Sequence, residues 1–252
     1  LGPRCRSRGL APDKVRGLRH GDAVCRAGAG WRLALKIVFS RKGFDTQNGG
    51  GASPIIDGKP VSLPIPAVGQ EATTYADRQL GSLASMASRN RYDGTNTCHD
   101  DPMFDGGHCW LGQVSAAQGH LRTEQVGEGD VFLFYGLFEE PDTRERHHRI
   151  FGYLSVLAKG PPEQIVEDLR WRQPPRPHPH LSGAWHYSNC IWFGKGRTAA
   201  RASQILRLTV PGGPVSLWSI PGWLRECGLS YHRGSHRWLH GDRLDSARPG
   251  QE

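Results

Sequence analysis

The side chains able to do chemistry collect in four separated segments. Arg41, Lys42 and Asp45 follow a short apolar run, Leu35-Lys36-Ile37-Val38-Phe39. His99, Asp100 and Asp101 come next, with His108, Gln118 and His120 downstream. The third segment is His178-Pro179-His180, and the fourth is Tyr231-His232 with His236, Arg237 and Trp238. Two cations, a glycine, an aromatic and a carboxylate at a strand end suit an anionic, planar ligand, which points to a nucleotide or a nucleic acid. Arg41 and Lys42 are assigned to phosphate or a polar base edge, and Gln118, His178, His180, Tyr231 and His232 complete the binding set. Asp45, His99, Asp101 and His120 are the candidates for acid–base work. Loops on a rigid sheet bring distant segments to one pocket, so convergence is the expectation.

The same residues suit a metal, because neutral imidazole and carboxylate from His99, Asp101, His120, His178 and His180 are donors for zinc, iron or manganese. His178 and His180 fall on one side of an extended segment. No HExxH helix and no Cys/His ladder of zinc spacing occurs. Metal and cofactor therefore stay unassigned, and hydrogen-bonded or solvated loop histidines are the bland alternative. Other chemistries find less support. There is no Gly-x-Ser-x-Gly elbow, and Gly49-Gly50-Gly51 lacks the lysine–hydroxyl pair of a phosphate loop. Aromatics that could stack on a base are Phe44, Trp110, Tyr135, Phe138, Trp185, Trp218 and Trp238, whereas Phe132, Phe134 and Phe151 read as core.

The elements that must position these groups read as a sheet with few helices. Residues 35–39 are the first strand, and 54–66 form two extended pieces about an Asp57-Gly58 turn, kept to a sheet edge by their prolines. Tyr75, Leu80, Leu83 and Met86 have helical spacing over 75–89, with Thr74 as N-cap. Residues 93–110 read as loop and 113–120 as a short helix. The continuous run Val131 to Phe138 predicts a strand buried on both faces, paired with Ile150 to Leu157 across a loop of roughly a dozen residues. A helix over 163–171, strands at 190–193 and 205–209, and a turn of helix at Trp223-Leu224 complete the expectation. The fold class is α+β, a mainly antiparallel mixed sheet or a PUA-like barrel with a few short helices.

The chain of 252 residues carries a net charge of +8, but the charge is uneven. Residues 1–34 hold eight Arg or Lys against two Asp, while the remainder holds 24 against 22. The basicity lies in the head, which lacks apolar periodicity and reads as disordered, an over-extended start or a phosphate-binding arm. The nearly neutral remainder, 35–252, reads as one domain. A mean hydropathy of −0.54 and the lack of a spanning apolar run leave no membrane partner. Six scattered cysteines without a CxxC fit free thiols in the cytoplasm.

Ser40-Arg41-Lys42-Gly43-Phe44-Asp45, Ser53-Pro54-Ile55, Ser62 to Pro66, His99-Asp100-Asp101-Pro102 and Ala116 to Leu121 occur in order, followed by Gly129 to Phe138, Ile150 to Tyr153, His178-Pro179-His180 and Leu229 to His232. This series resembles the third nucleotide modification associated domain, a family placed with DNA base-modification systems of phages and bacteria. The resemblance spans about residues 35–252. It implies action on a nucleotide or a DNA base, with nucleotide or DNA and other DNA-modification enzymes as partners, but no settled reaction. The head has no counterpart in it, and the chain stops short of a final apolar strand that the resemblance leads one to expect. The hairpin 129–156 is also similar to the centre of PUA-like barrels such as EVE and ASCH domains. That likeness implies the rival role, a non-catalytic reader of modified bases. A structural subunit is the third alternative.

Overall fold

Both faces of the run beginning at Val131 meet apolar partners, and this places it at the centre of the sheet. A computed structural model describes residues 23–26, 35–67, 72–230 and 239–246. Its strands are β1 (Ala23–Arg26), β2 (Lys36–Arg41), β3 (Ser53–Ile56), β4 (Lys59–Pro60), β5 (Met103–Asp105), β6 (His108–Gln113), β7 (Val131–Glu139), β8 (Arg146–Gly160), β9 (Cys190–Thr198), β10 (Leu217–Ser219), β11 (Leu239–His240) and β12 (Arg243–Asp245). Its helices are short: α1 (Gly81–Ser88), α2 (Ser115–Thr123), α3 (Pro162–Asp168) and α4 (Gly222–Cys227). The main sheet runs β1-β2-β7-β8-β9-β6-β5, with β3 also paired to β7. The β2–β7 and β3–β7 pairs are parallel, and the pairs from β7 through β8, β9 and β6 to β5 are antiparallel.

One face of β7 supplies Phe132, Phe134 and Phe138 to a core shared with Val38 of β2, Leu111 of β6, Phe151 and Leu154 of β8 and Trp192 of β9. On the other face, Leu133 and Tyr135 pack against Phe39, Trp218, Ile220 and Leu244, under the small sheet β10-β12-β11. β2 and β6 stand four steps apart in strand order, about 19 Å in a flat sheet. Their sharing one core means that the sheet curls strongly upon itself. Among the described residues no pairing joins its two edges, so the fold is α+β with an open curved sheet, and the expected barrel alternative does not close.

The structure redraws several expected elements. The helix expected over 75–89 begins only at Gly81, because the Asp77 carboxylate accepts from Thr74 N (2.8 Å) and Thr74 Oγ1 (2.7 Å) and holds a local turn. Residues 93–110, expected as loop, contain β5 and the start of β6. Gly106 and Gly107, with φ of +51° and +80°, make the two-residue turn between Asp105 and His108. The loop between β7 and β8 is limited to residues 140–145. Residues 205–209 give a 3-10 turn at Gln204–Leu206 and isolated bridges instead of a strand. In the basic head, Ala23–Arg26 pairs with β2. Among the described residues, no helix is long and apolar enough to cross a membrane.

Candidate functional site

The first predicted segment lies where β2 leaves the sheet. β2 pairs with the start of β7 and β3 with its end, so residues 42–52 are an excursion from one sheet edge. Lys42 N still reaches Tyr135 O (2.8 Å), and the chain then turns at Gly43, φ +85°. Phe44 anchors the excursion, buried edge-on against Tyr75 with centroids 6.0 Å apart. Asp45 shapes it: Oδ1 accepts from Gln47 N (2.7 Å) and Asn48 N (2.6 Å), and Oδ2 lies 3.2 Å from Arg41 Nη2.

Asp101 receives the lysine of that excursion. Lys42 Nζ donates to Asp101 Oδ2 at 2.8 Å, and Gly112 N donates to Oδ1 at 2.8 Å. The second contact continues the β5–β6 register, in which Met103 faces Trp110. Both oxygens are shielded from solvent. Burial by itself pushes the Asp101 carboxyl upward, but the Lys42 ammonium, with His178 and His180, overcomes this and holds it well below the usual carboxylate range. Asp101 is therefore a fixed negative charge and a poor proton acceptor near neutral pH.

Three imidazoles surround this charge. His99 is half-buried and is placed by its backbone N–H, which donates to Ile65 O at 2.9 Å. His178 and His180 bracket the 3-10 turn Pro179–Leu181. The His180 N–H donates to His178 Nδ1 at 3.2 Å, so Nε2 of His178 carries the ring hydrogen. Nε2 of His178 lies 3.3 Å from Asp101 Oδ1, a long contact that falls short of good hydrogen-bond geometry but still favours the charged carboxylate. Asn189 Nδ2 donates to His180 O (2.9 Å), which turns its Oδ1 toward His180 Nδ1 at 2.8 Å. The hydrogen of His180 thus sits on Nδ1, and burial lowers its pKa to about 4. Trp185 stacks on the His180 ring at 4.1 Å. Ligand atoms of His99, Asp101 and His180 all lie within 4.8 Å of one another, a group able to hold a metal ion.

The neighbouring carboxylate organises the opposite side. Asp100, 1 % exposed, pairs with Arg78 and with Arg176 Nε (2.9 Å). Arg78, Asp100 and Asp101 form part of the wall of a cleft of about 300 Å³ that also includes Lys59, Ser62, Phe104, Phe151 and Thr198. Cations, aromatic rings and hydroxyls thus line one concavity of ligand size.

Comparison with known protein families matches residues 36–252 to the nucleotide modification associated domain 3. The chain belongs to that family. Membership ties this nucleotide modification associated domain to nucleotide modification, and the match includes every residue of the Lys42–Asp101 cluster and the cleft. No curated protein and no solved structure matches the chain.

Within the domain, the predicted residues divide. Lys42, His99, Asp101, His178 and His180 come together. Arg41, adjacent to Lys42, projects to the other face of the sheet, where its charge lowers the pKa of His148 after burial has done so. Asp45 stays with Arg41 and its own loop. Gln118 Oε1 accepts from Trp192 Nε1 (3.1 Å), which fastens α2 to the sheet. His120 lies 3.2 Å from Ser230 Oγ, and its pKa is lowered, first by burial. Tyr231 and His232 lie outside the described residues. Sequence reasoning missed Arg78, Arg176, Lys59 and Asn189. Arg176 stands two residues before His178 and was open to discovery; the others carry no local motif.

Proposed function

We propose that the protein acts on the base of a nucleotide, free or within DNA, bound in the cleft beside Asp101. The observation that carries this reading is the composition of that cleft: the partly exposed Phe104 offers a ring for a planar base, while Arg78 and Lys59 offer positive charge for phosphate. Ser62 and Thr198 supply hydroxyls for polar base edges. The same wall carries Asp100 and Asp101, so the attraction rests on the placement of Lys59 and Arg78 and not on net charge. Lys42 and Asp101 hold a fixed charge pair behind the bound base. DNA and other DNA-modification enzymes are the proposed partners, and the free, buried Cys109 and Cys190 fit the reducing cytoplasm.

The test is to incubate the protein with nucleoside monophosphates and with phage-type and unmodified DNA, digest to nucleosides and read the masses. A new nucleoside mass that Arg78→Ala abolishes supports the reading. Unchanged masses together with preferential retention of DNA carrying a modified base support the rival, a non-catalytic reader. One observation favours that rival: Asp100 and Asp101 are both committed to cations, which suits holding a ligand better than moving protons.

A further inference from the structure

We propose that His99, Asp101 and His180 bind one divalent first-row transition-metal ion. Their ligand atoms are gathered within 4.8 Å of one another, from the segment His99–Asp101, whose ends are joined by Asp101 N donating to His99 O (2.8 Å), and from the 3-10 turn that carries His180. Small side-chain rotations close such a group to metal–ligand lengths of about 2.1 Å. Two imidazoles and one carboxylate favour zinc, iron, cobalt or manganese over calcium and magnesium, which take mainly oxygen ligands.

The surroundings match what such an ion demands. Asn189 fixes the hydrogen of His180 on Nδ1 and leaves the Nε2 lone pair for a cation, the usual role of a partner behind a ligating histidine. Trp185 stacked on that ring, and Gly112 beneath it, set its orientation: a Cβ at Gly112 would come within 2.1 Å of the His180 ring. A separate observation points to a ligand. The fully buried Nε2–H of His178 lies 3.3 Å from Asp101 Oδ1 but does not reach good hydrogen-bond geometry there, which leaves it under-satisfied. A water or hydroxide carried by the ion supplies an acceptor. Lys42 and Gly112 N each occupy one of the roughly four lone-pair positions of the Asp101 carboxylate, so positions remain for the ion.

This inference concerns the site of the proposed function, but its test uses no nucleotide, so either reading can fail alone. Tag-free protein is stripped with a chelator and titrated with Co²⁺ alone, reading visible absorption, with Zn²⁺ uptake measured by equilibrium dialysis. The expected result is one equivalent bound, with Kd raised at least tenfold in His99→Gln and in His180→Gln, about tenfold in Asn189→Ala, and unchanged in His240→Ala on the exposed end of β11. His99 is only half-buried, so His99→Gln keeps the test independent of folding, which thermal melting checks. Absence of saturable Co²⁺ and Zn²⁺ binding, or stoichiometric binding that both His99→Gln and His180→Gln leave unchanged, overturns the proposal.

Discussion

Lys42 Nζ lies 2.8 Å from the shielded Asp101 Oδ2, a contact between residues 59 positions apart that ties the loop leaving β2 to the segment entering β5. The two belong to opposite sides of the strand order and meet only because the sheet curls. Removing the ammonium strands a carboxylate out of reach of water. Lys42→Met is expected to cost about 3 kcal/mol or more, and Lys42→Met with Asp101→Leu to cost less than the sum of the two single changes. Urea denaturation of the two single variants and the double variant measures this coupling; strict additivity would contradict it.

Gly112 and Gly119 make a matched pair of substitutions. A methyl group at Gly112 would overlap the His180 ring, whereas at Gly119 within α2 it meets nothing within 4 Å. Gly112→Ala should destabilise by about 1–3 kcal/mol and displace His180. Gly119→Ala should be neutral or stabilising by up to about 1 kcal/mol. Thermal melting of the two variants decides, and equal effects would mean that His180 does not pack as described.

Acid should act through His148. Burial, followed by the charges of Arg41 and His147, lowers its pKa to about 3, and its Nδ1 accepts from Trp218 Nε1 at 3.0 Å. Histidine in an unfolded chain titrates near 6.5. As pH falls, the unfolded chain takes up the proton first. The contribution is therefore complete above about pH 6.5, declines below it, and is lost once pH passes about 3; its full size is on the order of 5 kcal/mol. His148→Gln should flatten the pH dependence of the urea midpoint between pH 6.5 and 4. An unchanged slope would contradict the assignment.

Arg78 and Arg176 share Asp100, but only Arg78 belongs to the cleft wall. Arg78→Ala should weaken nucleotide binding at least tenfold, while Arg176→Ala has the smaller effect. Fluorescence titration with a labelled nucleoside monophosphate compares them, and the reverse order would move the ligand to the other side of Asp100.

How far the sequence leads depends on the range of the interaction concerned. The β7–β8 hairpin was readable because strands buried on both faces are continuous apolar runs. β5 and β6 were not, since their short pairing is spread among residues that individually signal turns, and Gly106-Gly107 marks a hairpin as well as a break. For the site, local chemistry picked out Lys42, His99, Asp101, His178 and His180, all of which converge. It also grouped Arg41 with Lys42, although neighbouring strand residues project to opposite faces and that alternation could have separated them. Arg78 reads as one more surface cation on a helical stretch. Its role depends on Asp100, 22 positions away, and on a curled sheet that no local pattern encodes.

The cleft walled by Arg78, Phe104, Phe151 and Asp101 is proposed to hold a nucleotide. Isothermal titration of wild-type protein, Arg78→Ala and Phe104→Ala with a panel of nucleoside monophosphates tests it most directly. Saturable one-site binding by the wild type is expected for at least one member of the panel, weakened at least tenfold in both variants with folding intact. Binding of equal strength in all three proteins, or none by the wild type to any member, would contradict it.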